Sequence, residues 1–195
     1  DFSDPHRGAQ TTQGLGAAIA RRLAASGAAG IAVTGRNADR GDAVAQSITE
    51  KTGVPSIFIK ADFASTDDCA KVVAETERRF GKVHVLVNAG ASTDRGTILD
   101  TTPELFDHIF DTNIRGPFFL IQAAIRSMIR NGIEGAICSI GSISALAGQP
   151  FINPYCASKG ALTTLTANTA FSVAANRIRV NQLNVGWMAS DNENA

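Results

Sequence analysis

The side chains with the clearest chemical use in this chain are its single tyrosine, Tyr155, and the lysine four positions later, Lys159. On a helix, residues four apart lie on one face, so the phenol and the ammonium would project to the same side. A free phenol has a pKa near 10, and acid/base work near pH 7 requires a pKa about 3 units lower, or about 4 kcal/mol. A lysine ammonium close by in a partly dry cleft supplies energy of that order. The spacing therefore predicts that Tyr155 and Lys159 act together in proton transfer. The alternative is that Tyr155 is a buried aromatic residue and Lys159 a solvated neighbour.

A serine hydroxyl is in position to join this pair. Ser142 lies 13 residues before Tyr155, directly after a predicted strand. From there its hydroxyl could hydrogen-bond the same reacting oxygen as the phenol. The alternative is a serine that only ends the strand.

The elements that must position these side chains alternate along the chain. From about residue 15, helical segments follow short β-rich runs, a pattern typical of βα units that feed a parallel sheet. The strand segments are almost continuously apolar, which indicates a sheet covered on both faces and hence a doubly wound α/β fold. Strands are predicted at 30–35, 54–60, 83–88, 135–140 and 178–185, and helices at 14–27, 39–51, 65–80, 102–129 and 153–175. Ligands of such folds bind beyond the carboxyl ends of the strands.

Composition narrows the classes of function. A chain of 195 residues suits one domain with a buried core, and its formal net charge of zero gives no broad basic field for nucleic acid or anionic membrane. No apolar run approaches the roughly 18 residues that cross a bilayer. The three cysteines lack any C-x-x-C spacing, so neither a metal site nor a disulfide framework is predicted. We expect a cytoplasmic protein with one domain over residues 1–195.

The ordered motifs of the chain resemble the short-chain dehydrogenase/reductase family, single-domain type, from about residue 13 to residue 190. The motifs that carry the resemblance are GLG, ADF, LVNAG, TNIRGPFF, ICSIGS, YCASKGAL and IRVNQLNVGW. The resemblance implies a Rossmann-like fold with strand order 3-2-1-4-5-6. It also implies that a hydride moves between a nicotinamide and the carbon of an alcohol/carbonyl substrate.

The same resemblance implies four catalytic roles. Tyr155 would exchange the proton on the substrate oxygen, and Ser142 would orient and polarise that oxygen. Lys159 would lower the pKa of the tyrosine and bind the nicotinamide ribose. Asn113, in the motif TNIRG, would support a water that relays protons, and the alternative for Asn113 is an amide that satisfies a helix backbone.

The cofactor site implied by the resemblance follows the strand ends. Gly14, Leu15 and Gly16 match the end of the family's glycine turn, where backbone N–H groups at a helix N-terminus bind the pyrophosphate. Arg36 stands where the family often has a basic residue for the 2′-phosphate, and Gly35 offers no carboxylate to the ribose, so NADP is predicted rather than NAD. The other implied cofactor contacts, besides Tyr155 and Lys159, are Asp62, Phe63, Asn88, Ala89, Gly90, Gly186 and Ser190. Asp62 would accept from the adenine amino group, with a helix-capping carboxylate as the alternative.

Both ends of the sequence depart from the family pattern. In place of an apolar first strand stands DFSDPHRGAQ, whose proline cannot donate to a central ladder and whose charges are costly to bury. Residues 1–12 are therefore an atypical segment, and a first strand there is left open. Val185 and Ser190 replace a proline and a threonine, and 191–195 is a short tail, so the C-terminal helix and strand are predicted to be missing.

The resemblance also predicts a homodimer or homotetramer. The alternative function, motivated by the two altered ends, is a catalytically impaired nucleotide-binding or oligomeric interaction protein.

Overall fold

The computed structural model describes residues 14–186, and within them helices and strands alternate as the sequence predicts. In chain order the elements are α1 (Leu15–Ala25), β1 (Ile31–Gly35), α2 (Ala38–Thr52), β2 (Ser56–Lys60), α3 (Thr66–Phe80), β3 (Val85–Asn88), α4 (Pro103–Phe110), α5 (Gly116–Arg130), β4 (Ala136–Ser142), α6 (Asn153–Ser172) and β5 (Arg179–Val185). No helix in this part of the chain is both long enough and apolar enough to span a bilayer.

Local sequence signals set the helix ends. Asn37 caps α2 by accepting from the backbone N–H of Arg40 (2.9 Å), and Ser65 caps α3 by accepting from that of Asp68 (3.2 Å). After these two helices the chain turns at Gly53 (φ 73°) and Gly81 (φ 85°). Glycine adopts this left-handed geometry without the steric cost that a Cβ would add. Short-range rules therefore account for these boundaries.

One predicted helix is divided in the structure. The segment 102–129 was predicted as a single helix, but α4 and α5 are separated by a π-helical turn, Asp111–Arg115. Pro117 has no N–H, so the α-helical hydrogen bond from residue 117 to the carbonyl of Asn113 cannot form. The prediction of a continuous helix was wrong, and the helix changes to a π-helical turn at the segment that contains Asn113.

The strands form two parallel sheets. β1 pairs with β2, from Ile31 beside Ser56 to Gly35 beside Lys60. In the other sheet β4 lies between β3 and β5. The parallel α/β architecture is confirmed. The predicted order counts a first strand within residues 1–12, so β1 to β5 correspond to its strands 2 to 6. The pairing of β1 with β2 agrees with the 3-2 part of that order, and the order β3-β4-β5 agrees with the 4-5-6 part. The complete order is not confirmed, because 1–12, where the first strand was in question, and the tail 191–195 lie outside the described residues.

The two sheets share a hydrophobic core. A single cluster joins Ile59 and Ala61, at the end of β2, to buried residues of α3, α5, β4 and β5. On the other face of β1, Ile31 packs in a second cluster with α1 and α2, whereas the adjacent Ala32 packs against the first. Alternate residues of β1 thus enter different clusters, as expected for a strand covered on both faces. A single domain over the whole chain stays a prediction.

Candidate active site

The loop after β3 is held against the start of α6. The Gly96 N–H donates to the carbonyl of Phe151 (3.0 Å), and the Asn153 N–H donates to the carbonyl of Gly96 (2.9 Å). Arg95 lies beside the Phe151 ring, its guanidinium carbon 5.8 Å from the ring centroid. These contacts place a strand-end loop next to the first turn of the helix that carries Tyr155.

Tyr155 and Lys159 lie on the same side of α6, as their spacing predicts. The Lys159 Nζ is 5.5 Å from the centroid of the Tyr155 ring. Tyr155 is half-buried, whereas Lys159 is 4 % exposed and donates from Nζ to the carbonyl of Ile140 (2.9 Å). Burial lowers the pKa of Lys159 from 10.5 to about 8, because desolvation disfavours the ammonium. The lysine therefore remains mostly charged at neutral pH, inside the protein and beside the phenol.

Ser142 is the last residue of β4, so the strand extends two residues beyond its predicted end. The serine is 7 % exposed, and its hydroxyl oxygen accepts from the backbone N–H of Ser144 (3.1 Å) at the start of a 3-10 turn. Both this turn and β4 pack against α6. An accepting hydroxyl retains its own proton, so Ser142 can still donate one hydrogen bond.

Asn113 is 1 % exposed and reaches α6 directly from the π-helical turn. Its Oδ1 accepts from the N–H of Ser92 (2.7 Å), and its Nδ2 donates to the carbonyl of Ser92 (2.9 Å) and to the Ser158 hydroxyl (3.0 Å). The alternative of an amide that satisfies a helix backbone is wrong, because the backbone it binds belongs to the loop after β3. Ser158 had not been singled out from the sequence, although its place one turn after Tyr155 in YCASKG is a usable signal.

The glycine turn lies beside the N-A-G motif. Gly14 is the N-cap of α1, and a Cβ on Gly16 would lie 3.7 Å from the Cβ of Ala89. Among residues 14–186 no side chain caps the first turn of α1, and this turn contains no acidic residue. Leu15, the first helical residue, therefore begins a turn whose N–H groups can bind an anion.

Phe63, which follows β2, packs against Gly90, which follows β3. A Cβ on Gly90 would lie 2.5 Å from the Phe63 ring, so a larger residue there would require the ring to move. Asp62 is exposed, and its Oδ1 accepts from the N–H of Ala64 (3.0 Å). Because Ser65 caps α3, the helix-capping alternative for Asp62 is wrong.

The remaining candidates are distributed around this edge. Asn88, at the end of β3, is 3 % exposed, and its Oδ1 has no partner among residues 14–186. Arg36 follows β1 and is exposed to solvent. A Cβ on Gly186, after β5, would lie 3.7 Å from the Ile143 Cδ1, beside the turn that follows Ser142. Ser190 lies outside the described residues.

Comparisons with known proteins agree with this arrangement. A sequence model described as short chain dehydrogenase matches residues 9–195. The L-rhamnose 1-dehydrogenase (NAD(P)(+)) of Azotobacter vinelandii is 35 % identical over 183 residues, which cover 92 % of this chain and 71 % of that protein. A dehydrogenase/reductase from Sinorhizobium meliloti has a similar structure, with a TM-score of 0.84 and 36 % identity over 91 % of this chain and 69 % of the other. A gluconate 5-dehydrogenase from Burkholderia cenocepacia, solved with NADP and tartrate, gives a TM-score of 0.85 and 30 % identity over 92 % of this chain and 72 % of that one.

The similar proteins are oxidoreductases, and they do not favour the alternative of a non-catalytic protein. Their shared fold confirms the Rossmann-like assignment, and the family that they represent uses NAD(P) and small-molecule substrates. The chain belongs to the short-chain dehydrogenase/reductase family.

Proposed function

We propose that the protein transfers a hydride between NADP(H) and a small alcohol/carbonyl substrate, with Tyr155 as the proton donor and acceptor. The observation that carries the proposal is the buried Lys159 ammonium 5.5 Å from the Tyr155 ring, on a helix tied to Asn113 and packed against the Ser142 turn. A buried ammonium lowers the stability of the folded protein, and buried charges with such a cost are often found where they serve catalysis. Proton transfer by Tyr155 would explain why Lys159 is placed there.

In the direction of reduction, a nicotinamide held at this site would supply the hydride to the carbonyl carbon. Tyr155 gives its proton to the carbonyl oxygen as that carbon is reduced, and the product is the alcohol. Ser142 donates its O–H to the same oxygen, which orients the substrate and stabilises the developing negative charge. Lys159 stabilises the tyrosinate left behind, because its ammonium lies over the same ring.

The hydrogen bonds of the Asn113 side chain limit how this residue can hold a water in the site. Both Nδ2 hydrogens of the amide are already donated to Ser92 and Ser158, so its side chain has no donor left for a water. The backbone carbonyl of Asn113 is the better candidate to hold a relay water, since Pro117 cannot supply the α-helical N–H that would otherwise bind it.

The cofactor would lie along the strand ends, and the residues there fit it. The first turn of α1, with Gly14 at its start, suits a pyrophosphate. The exposed carboxylate of Asp62 would accept from the adenine amino group. The other proposed contacts are Leu15, Gly16, Phe63, Asn88, Ala89, Gly90, Gly186 and Ser190, together with the ribose contact of Lys159.

The preference for NADP rests on Arg36. This exposed guanidinium follows β1, where it can pair with a 2′-phosphate, and no carboxylate at Gly35 holds the ribose hydroxyls. Arg36→Ala should raise KM for NADPH by about 10-fold, the loss of one charge-assisted contact, and leave KM for NADH nearly unchanged. Equal effects on both cofactors would contradict the assignment.

The function itself is tested with purified protein, NADPH and a panel of ketones, sugars and quinones, followed by NADPH absorbance. Tyr155→Phe removes only the hydroxyl, and we expect it to lower kcat at least about 100-fold, the usual scale of general acid catalysis. Phe151→Tyr serves as a control that leaves the proposed acid in place. Turnover that survives Tyr155→Phe would exclude the proposed mechanism.

We also propose a homodimer or homotetramer built on the long helices. Phe106 of α4, Phe118 and Phe119 of α5 and Phe171 of α6 are between 36 % and 88 % exposed, an unusual amount of aromatic surface. Sedimentation at several concentrations should show a species of at least twice the monomer mass, and a monomer at all concentrations would exclude this. The cytoplasmic location stays a prediction.

A further inference from the structure

Ser158 makes two buried hydrogen bonds that connect separate parts of the site. The residue is 0 % exposed, and its hydroxyl donates to the carbonyl of Tyr155 (2.7 Å), one turn earlier on α6. The same oxygen accepts from the Asn113 Nδ2 (3.0 Å). Serines in helices often donate back to a carbonyl three or four residues earlier, so the first bond alone would be ordinary. The second is not, because it joins α6 to the π-helical turn through a buried amide.

The amide that Ser158 binds is otherwise committed to the loop after β3. Asn113 accepts from the N–H of Ser92 and donates to its carbonyl, which fixes the backbone on both sides of the Ser92 Cα. A primary amide has two N–H groups, and here one binds Ser92 and the other binds Ser158. Removal of the serine hydroxyl would leave a buried donor without an acceptor, and the amide would have to move to find one.

The same turn of α6 is fixed from a second direction by the next residue. Lys159 donates to the carbonyl of Ile140 in β4. Ser158 and Lys159 therefore hold one helical turn between the loop after β3 and the strand that ends at Ser142. Tyr155 lies one turn earlier, and its carbonyl is the group that Ser158 binds.

We propose that Ser158 is a positioning residue that fixes the Tyr155 turn against Asn113, so that the phenol keeps its place beside the Lys159 ammonium. This inference rests on the proposed function, since it assigns Ser158 a part in proton transfer. In this proposal Ser158 does not contact the substrate. It acts through its hydrogen bonds to the Tyr155 carbonyl and to the Asn113 amide. Loss of the hydroxyl misplaces the phenol, and an error near 1 Å in an active site can cost on the order of 100-fold in rate.

The test compares Ser158→Ala with Ser172→Ala, a matched control on the same helix. Ser172 also donates to a backbone carbonyl, that of Asn168 (2.8 Å), but it is exposed and binds no buried amide. We expect Ser158→Ala to lower kcat at least about 10-fold with KM changed less than about twofold, and Ser172→Ala to change neither. Ser158→Thr, which restores a hydroxyl, should recover most of the loss.

A second readout does not depend on knowing the substrate. Tyr155 is the only tyrosine, so the near-ultraviolet absorbance of tyrosinate reports this one phenol as pH is raised. We expect the transition to move upward by about one pH unit in Ser158→Ala, because the phenol loses its place beside the ammonium, and to stay unchanged in Ser172→Ala. If Ser158→Ala does not fold, Ser158→Cys is titrated in its place, since a thiol is a weaker partner for the amide.

The outcomes separate this inference from the proposed function. A Ser158→Ala protein that is folded and less stable, but has the tyrosinate transition and kcat of Ser172→Ala, overturns the positioning role and leaves the function intact. A wild-type protein without turnover on any substrate counts against the function, while the titration still decides the role of Ser158. A shifted transition restored by threonine supports the inference.

Discussion

At the scale of single residues, the site keeps a charge where the fold would be more stable without one. Lys159 is 4 % exposed, and burial lowers its pKa to about 8. This fall in pKa from 10.5 to about 8 corresponds to about 3 kcal/mol that the ammonium costs the folded state at neutral pH, partly offset by its hydrogen bond to the carbonyl of Ile140. The folded protein is therefore less stable than it would be with an apolar residue at position 159, where the proposed chemistry needs a cation.

Lys159→Met should make the protein more stable and inactive. The unfolded chain keeps the lysine proton up to a pH near 10.5 and the folded chain only to about 8, so wild-type stability rises with pH between these values. We expect the variant to gain about 1 to 2 kcal/mol in the free energy of unfolding at pH 7 and to lose that advantage by about pH 10. Urea denaturation at both pH values measures this, with the exposed Lys82→Met as a control. A variant less stable than wild type at pH 7 would contradict the argument.

Sequence reasoning identified Tyr155, Lys159, Ser142 and Asn113 as candidates because each lies in a recognisable local motif. It did not predict that the Asn113 amide is consumed by Ser92 and Ser158, because that contact joins segments 21 and 45 residues apart. Local spacing predicts which face a side chain occupies, and only the packed structure shows what it meets there.

At the scale of elements, the junction of α4 and α5 is shaped by two adjacent residues. Pro117 removes a helical hydrogen bond, and Gly116 allows the backbone of Phe63 to approach. A Cβ on Gly116 would overlap the Phe63 carbonyl oxygen and lie 2.8 Å from its carbonyl carbon. The break could have been predicted from the proline, since an interior proline leaves the carbonyl four residues earlier without a donor. The glycine contact could not, because Phe63 is distant in sequence.

Gly116→Ala should destabilise the protein, whereas Gly160→Ala should not. At Gly116 backbone atoms would have to shift, which typically costs about 1 to 3 kcal/mol. Gly160 is also in a helix, but an added Cβ there meets nothing within 4 Å, so alanine should be neutral or gain up to about 1 kcal/mol. Thermal denaturation of both variants measures the difference. Equal melting temperatures would mean that the Phe63 backbone yields to the methyl group.

At the scale of the whole molecule, the helix pair α3 and α5 connects the two sheets. Buried residues of both helices belong to the cluster that also contains β2, β4 and β5 side chains. The alternation of helices and strands was readable from the sequence because each element has its own periodicity. The complete strand order was not confirmed, and pairing between distant strands depends on contacts that no local pattern contains.

The carboxylate of Glu77 also joins α3 to α5 through hydrogen bonds. Glu77 of α3 accepts from the Ser127 hydroxyl (2.8 Å), the Arg130 Nη2 (2.7 Å) and the Asn131 Nδ2 (2.9 Å) near the end of α5. Burial alone would raise its pKa, but these hydrogen bonds and the arginine charge outweigh burial, and the pKa of Glu77 is lowered from 4.5. A lowered carboxyl pKa stabilises the fold above the unfolded pKa, and that stability is lost as pH falls through the folded value.

Glu77→Gln should therefore lower the free energy of unfolding by about 1 to 2 kcal/mol at pH 7, and the difference from wild type should shrink as pH falls below about 4.5. Urea denaturation at pH 7 and at lower pH measures it. Glu75→Gln is the matched control, because Glu75 pairs with Arg78 on its own helix, so its loss should lower the stability much less than the loss of Glu77. Equal losses at the two positions would show that the contact between α3 and α5 depends on apolar packing alone.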